Sequence, residues 1–427
     1  MFSFSKNQIR QLGKTLRKET IPSRDSLEKL QSYRKSFQKP ISDIFSDLSI
    51  ISKKVYTESI ASMRLKRIDT IIHKLHRFNK MELDRMWDVA GCRFIMKNER
   101  QVYKLSRIIE NKYFVKKKKD YYKEKQNSGY KSLHLYIRES SDSPYTIEVQ
   151  IRTKKDHNWA TLVEITDLLY DEDTKETNNF ETTKFGKFHA LLSNNIEDIP
   201  IKQKKAIINT AVKNQFYNTL SSIFIKNYIN VRNQWENQIR DKKSVFFVIE
   251  IKNDKSPVIK SFNGYEEAEN EYFNLYIKEE NSNVLLIHLA NSNYKQISIA
   301  YSNYILTMHT FVDDFILIIQ DIIIQSLVNR NFIALKKYLM EYAKVIKQTE
   351  MELEMEYKAI SDNYLSQNNA KITKNIRMWE QELGNRINKI KHEQNKFVKQ
   401  LISKKPNNFI YSFIFKRIIL SVAQKIK

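Results

Sequence analysis

The chain has 427 residues, more than the ~100 to 200 usual for one domain, so two or three structural units are expected. Hydrophobic residues at 41% and aromatics at 12% suffice for a packed core, while the single cysteine, Cys92, excludes an internal disulfide framework and any cysteine-built zinc site and points to a reducing compartment. A net charge of +24 favours a polyanionic partner such as RNA, nucleotides or an anionic membrane, although a Lys-, Asn- and Ile-rich composition with six Gly and six Pro is also what a biased genome would produce.

The opening Met-Phe-Ser-Phe-Ser-Lys lacks a charged segment followed by a long apolar run, so no secretory signal is read and the cytoplasm is the expected location. Residues 6 to 19 and 26 to 36 read as short helices, and Ser42 to Leu75 continues with helical spacing at Ile68, Ile71, Ile72 and Leu75. The pattern then changes. Gly91 to Met96 reads as a buried strand, Gln101 to Asn111 as a helix, Ser132 to Ile137 as a strand and Tyr145 to Ile151 as an alternating strand. In this last strand Glu148, Gln150 and Arg152 share one face, and Ile147, Val149 and Ile151 the other, because strand side chains alternate with period two.

A helix from Lys155 to Leu169, a polar segment from Asp171 to Asn179 and further helices to Gln238 follow. Ser244 to Ile251 and Val284 to His288, with a helix near Tyr265 to Tyr276 between them, suggest a small α/β unit reaching to about Phe315. From Asp314 to Lys404 the near absence of Gly and Pro predicts long helices. Residues 371–427 carry 14 Lys/Arg against 3 Glu, and the apolar runs Phe409 to Phe415 and Ile418 to Ala423 flank Lys416-Arg417. That cation pair interrupts the ~20 apolar residues a spanning helix needs, so the tail reads as an interfacial or partner-docking helix, or as one folded back on a core. The domains expected are residues 1–175, 176–320 and 321–427.

Three segments concentrate chemistry: Asp88 to Arg93, Ser128 to His134 and Ile147 to Thr153. Asp88 and Glu148 supply carboxylates suited to a magnesium ion, which takes one or two carboxylates and fills its remaining positions with water and phosphate oxygens. Arg64, Lys66 and Lys74, on a helix or a turn and helix, are placed to converge on phosphates, and the lysines 116 to 119 add charge or form a solvated run. Tyr130, after Gly129, offers a ring on which a base can stack.

The run Arg64 to Leu75, Asp88-Val-Ala-Gly-Cys-Arg93, Lys119-Asp-Tyr-Tyr, Tyr130 to His134 and Glu148 to Thr153 with Trp159-Ala160 resembles, in order and spacing, the RelA/SpoT alarmone synthetase domain. The motifs cover about residues 40 to 170. The opening Asn7 to Lys14 and Trp159 to Glu164 are similar to a stand-alone branch of that family, which lacks the hydrolase domain and includes toxic members. The resemblance implies an α+β fold, a nucleotidyltransferase-like mixed sheet with flanking helices, followed here by the small α/β unit and a long helical region. It also implies transfer of the β,γ-pyrophosphate of ATP to the ribose 3′-hydroxyl of GDP or GTP, with Mg2+ as cofactor. By position, Asp88 and Glu148 would be catalytic and hold the metal, and Glu148 would also activate the acceptor hydroxyl. Arg64, Lys66, Lys74, Arg93 and Lys119 would face the donor nucleotide, and Tyr130, His134, Gln150 and Arg152 the acceptor.

Two positions depart from the family pattern: Lys125-Gln126 stands where Pro-Lys is usual, and Glu164 replaces a His. The lysine-rich loop flank, the basic tail and Gln126 motivate an alternative acceptor, the 3′ end of tRNA, as in toxic relatives. A degenerate module that only binds nucleotide or RNA is the third reading. A regulatory protein or a membrane reached through the C-terminal helices, and self-assembly, are the further partners considered.

Overall fold

In a computed structural model, residues 4–124, 126–170, 183–238, 245–251, 256–278, 283–289, 294–301, 311–366, 370–404 and 408–426 are described. The polar segment 171–179 and Lys125 lie outside them. The chain forms two compact units, one of residues 1–126, 130–161 and 238–305, the other of 127–129, 162–237 and 306–427.

The first unit begins with helices α1 (Lys6–Lys18), α2 (Arg24–Lys35) and α3 (Gln38–Val55), then β1 (Ile60–Leu65) and α4 (Ile68–Arg77). It continues through β2 (Ala90–Met96), α5 (Glu99–Lys112), β3 (Phe114–Asp120), β4 (Leu133–Arg138), β5 (Ile147–Thr153) and the start of α6 (Lys154–Tyr170). After the second unit's α7 (Gly186–Leu192), α8 (Ile201–Lys213) and α9 (Phe216–Gln238), the chain returns with β6 (Phe246–Ile251), β7 (Pro257–Phe262), α10 (Tyr265–Lys278), β8 (Asn283–Leu289) and α11 (Tyr294–Ala300). The fold is α+β: among the described residues there is one eight-stranded mixed sheet in the order β3-β4-β5-β2-β1-β8-β6-β7, in which only β2 and β5 pair parallel.

Local chemistry fixes the elements. Ser5 and Gln8 form a reciprocal capping box at α1, and Asn98 accepts from the Gln101 amide at 3.1 Å to start α5. The alternation in β4 and β5 sends Leu133, Leu135, Ile137, Ile147, Val149 and Ile151 fully into the core, each worth about 1.5–3 kcal/mol of apolar burial. Register then forces the intervening residues onto the other face. His134 faces Gln150, Tyr136 faces Glu148, Gly91 and Arg93 lie beside Glu148 and Gln150, and Arg64 and Ser62 pair with Gly91 and Arg93. One polar face is thus assembled from four strands.

The structure corrects several expectations. The expected helical stretch Ser42 to Leu75 contains β1, so Arg64 sits on a strand and Lys66 just beyond its end. The lysine run forms the edge strand β3. The small α/β unit has no sheet of its own, because β8 pairs antiparallel with β1 and carries β6 and β7 into the first sheet. Boundaries at 175 and 320 therefore differ from the grouping of the fold, where long-range strand pairing joins residues 238–305 to the N-terminal part.

The second unit is helical, with α7 to α9 followed by α12 (Phe311–Val328), α13 (Phe332–Ser366), α14 (Ala370–Ser403) and α15 (Phe409–Ile426). Its core joins Phe185, Phe188, Phe216, Phe311 and Phe315 with the buried face of α12, Ile318, Ile319, Ile322 and Ile323. Lys416-Arg417 does not break the tail, which is a single helix. Among the described residues no helix is long and apolar enough to cross a membrane.

Candidate active site

A recess on the polar face of the sheet is lined by Ser62, Arg64, Lys66, Asp88, Arg93, Glu148, Gln150 and Tyr301, among others. The backbone brings the first partners together. Beyond the last rung of the β1–β2 ladder, the Lys66 amide donates to the Val89 carbonyl at 2.7 Å, which places Lys66 beside the turn carrying Asp88. Lys66 Nζ lies 2.8 Å from Asp88 Oδ2, and Lys74 Nζ, from α4, reaches both oxygens at 2.8 Å. Burial alone would raise the Asp88 carboxyl, and nearby Glu148 adds to this, but the two ammonium groups outweigh both and hold it below the ordinary carboxylate range.

Glu148 is held from the other side. Its Oε1 accepts from His134 Nδ1 at 3.1 Å and from the Tyr136 hydroxyl at 3.0 Å, and Oε2 accepts from the Gln150 amide at 3.0 Å. Burial opposes its ionisation, yet the His134 and Tyr136 contacts, with Lys66, bring its pKa down to about 2. Burial likewise works against a charged His134, but Tyr130 and Glu148 raise it to about 9. His134 Nε2 and the Tyr130 hydroxyl are 2.9 Å apart, so Tyr130, His134 and Glu148 form one chain. Within it burial would raise the phenol, and His134 and Arg152 draw it below its ordinary range.

Linkage gives these shifts opposite consequences. The depressed Glu148 contributes stability that is full above its unfolded value, near 4.5, and is lost as pH falls towards about 2. The raised His134 contributes stability that is full below 6.5 and is lost as pH rises through about 9. Denaturant titrations in EDTA should therefore show His134→Gln flattening a decline of roughly 1–3 kcal/mol between pH 6.5 and 9. An unchanged slope in that variant would remove His134 from the chain of contacts.

Tyr130 follows Gly129, whose φ of +86° is a left-handed conformation that glycine adopts without strain. The half-buried Tyr130 ring meets Tyr121, His134 and Trp159 with centroids 5.4, 6.0 and 6.4 Å away. Arg152 is buried, and its charge acts on Tyr130. Lys119 stands opposite His134 across the β3–β4 ladder, outside the lining of the recess. Lys116 sits over the Trp87 ring at 4.3 Å and Lys118 pairs with Glu110 at 2.7 Å, so those two are not simply a solvated run. Gln126 turns its amide back to the Glu124 carbonyl at 2.8 Å.

Sequence reasoning missed two contributors. Tyr136 could have been found, since it is two residues beyond His134 on the same strand face. Tyr301 could not: it reaches the recess from the end of α11, where the Ala300 carbonyl accepts from Arg93 at 3.2 Å and the Ile299 carbonyl contacts His157 Nε2 at 2.6 Å.

Two ionised carboxylates in one recess fit a hard divalent cation such as Mg2+, which needs no more than two from the protein. Asp88 and Glu148 would hold it. Among the described residues no group of three or more His, Cys, Asp or Glu side chains is placed to bind a metal.

The polar sheet face thus gathers carboxylates and cations in one recess. Residues 63–175 match the family described as "Region found in RelA / SpoT proteins". The chain is 31% identical over 109 residues to the probable GTP diphosphokinase RSH3, chloroplastic, of Arabidopsis thaliana, covering 25% of this chain and 15% of that protein. It is 30% identical over 110 residues to the GTP pyrophosphokinase YjbM of Bacillus subtilis (strain 168), covering 23% and 51%. It therefore spans between about a seventh and half of the length of these relatives. Among solved structures, the small alarmone synthetase 2 from Bacillus subtilis matches at 25% identity with a TM-score of 0.29, over 33% of this chain and 82% of that one. The small alarmone synthetase 1 from Bacillus subtilis, bound to its product pppGpp, matches at 18% with a TM-score of 0.32, over 39% and 94%.

Proposed function

We propose that the chain is a pyrophosphokinase that transfers the β,γ-pyrophosphate of ATP to the ribose 3′-hydroxyl of GDP or GTP. The observation that carries this reading is the convergence of Asp88 and Glu148 in one recess with Arg64, Lys66 and Arg93. The sequence similarity to a GTP diphosphokinase and a GTP pyrophosphokinase over residues of the same region supports it.

In this reading the acceptor oxygen forms a bond to the β-phosphorus as the bond from that phosphorus to the α–β bridging oxygen breaks, and AMP leaves with the bridging oxygen. Mg2+, when bound, supplies charge neutralisation along the phosphate chain. Lys66 and Lys74 exchange part of their pairing with Asp88 for phosphate oxygens, while Arg64, Arg93 and, at the sheet edge, Lys119 add positive charge on the donor side. Glu148 accepts a hydrogen bond from the 3′-hydroxyl and takes its proton late. A carboxylate with a pKa near 2 is a weak base, which suits a loose transition state in which the nucleophile's proton departs after most bond breaking. His134, Tyr136 and Gln150 fix the Glu148 carboxylate. Tyr130 supplies the surface for the acceptor base, with Arg152 behind it.

The test is transfer of label from γ-labelled ATP with magnesium to GDP, GTP or deacylated tRNA. Label in guanosine nucleotides supports the reading. Label in tRNA alone would replace the acceptor, an outcome favoured by exposed Lys116 and Lys117 on the edge strand, and would bring a steep fall in binding with salt. No label in any acceptor would overturn the activity. Tyr130→Ala should weaken acceptor binding by about 1–3 kcal/mol, the loss of one stacked base, read as a raised acceptor KM with the KM for ATP little changed.

A further inference from the structure

We propose that the helical unit docks on an anionic membrane surface through an apolar tip ringed by cations. The tip is built from two segments. The α12–α13 turn is fixed: Arg330 has φ +55°, its amide and that of Asn331 bond back to Leu327 and Ser326 at 3.1 and 2.9 Å, and Asn331 Oδ1 caps the Ala334 amide at 3.0 Å. This rigid turn holds Ile333 87% and Val328 52% exposed. The start of α15 lies against it, with Phe332 stacked on Tyr411 at 5.7 Å and the Arg330 guanidinium 4.8 Å from the Tyr411 ring. From there α15 exposes Ile410 (64%) and Phe413 (54%), while its opposite face, Ile414, Phe415 and Ile418, packs into the helical core. The helix is therefore apolar on two sides and covered on one.

Charge selects the occupant. Between Asp321 and Glu341 the chain carries Arg330, Lys336 and Lys337 and no acid, and beyond Glu393 it carries lysines and Arg417 but no acid. Lys336, Lys337, Lys416 and Arg417 are exposed. A second copy of this chain would bring like charges together across a self-complementary interface. A nucleic acid would use the cations but gain little from protruding aliphatic side chains. Anionic lipid uses both, with apolar groups entering the headgroup boundary and cations attracted to the surface charge. The contact is peripheral, since no described helix is fit to span.

The full chain should cosediment with phosphatidylcholine vesicles containing phosphatidylglycerol and remain in the supernatant with phosphatidylcholine alone, the bound fraction falling with salt. Ile333→Ser with Phe413→Ser should lower vesicle affinity about tenfold or more, and Lys416→Gln with Arg417→Gln severalfold, with thermal melts and nucleotide chemistry unchanged because all four side chains are exposed and none lines the recess. No sedimentation with either vesicle, equal sedimentation with both, or a concentration-dependent dimer broken by the serine pair in place of vesicle binding would overturn the proposal.

Discussion

Replacing Asp88 by Asn is expected to lower pyrophosphate transfer by about a thousandfold or more, the scale of losing a group that positions charge on a transferring phosphoryl chain. The change is nearly isosteric and removes only the negative charge. Lys66 and Lys74, each 2.8 Å from that carboxylate, then lose their shared counter-charge, and a divalent cation loses one of two protein oxygens. Glu148→Gln should match it in size for a different reason, since the hydroxyl would lose its acceptor and His134 its partner at 3.1 Å. The decisive measurement pairs single-turnover rates with thermal melts. Near-normal rates in both variants would remove the recess from the chemistry, and lost activity with a lost melt would show unfolding, in which case Lys74→Ala, which truncates a partly buried side chain and leaves both carboxylates in place, gives the independent reading.

The site was legible in the sequence where spacing and face coincide. Glu148, Gln150 and Arg152 alternate along one strand, and Asp88 precedes a short apolar strand, so their placement follows from period two and from the end of a ladder. What escaped was non-local or locally ambiguous. Ala61 to Leu65 alternates apolar and polar residues, but the run is only five residues long and lies between two helical patterns, so pairing with β2 and β8 is what makes it a strand. The lysines of β3 read as a solvated run, yet lysine-rich character is one way an edge strand resists further pairing. Nothing local to residues 246–289 says that they join a sheet begun some 180 residues earlier, which is a decision of long-range packing.

That joining is what the second large effect would test. Glu269→Ala, in α10, is expected to destabilise the first unit by about 3–5 kcal/mol, the penalty for leaving a buried charge without its partner. Arg34 and Glu269 have side chains only 1% and 0% exposed and meet at 3.1 Å. Gln31 donates to the same carboxylate at 2.5 Å, and Arg34 lies 4.7 Å from the Tyr272 ring centroid, so α2 and α10 meet in one hydrogen-bonded cluster. The cluster also touches the site: Arg34 Nε donates to the Lys66 carbonyl at 2.7 Å, and the Tyr272 hydroxyl accepts from the Ile68 amide at 3.2 Å. Residues beyond the matched region 63–175 therefore hold the turn from which Lys66 reaches Asp88. A lower melting temperature should consequently be accompanied by a raised KM for ATP even at temperatures where the variant is folded. Arg34→Met with Glu269→Leu should recover most of the stability, because replacing both charges by apolar groups removes the desolvation cost. It should not recover the KM, because removing Arg34 takes away the donor to the Lys66 carbonyl. Recovery of both together would reduce the cluster to a packing role, and a melt unchanged in Glu269→Ala would mean that α10 does not brace the sheet at all.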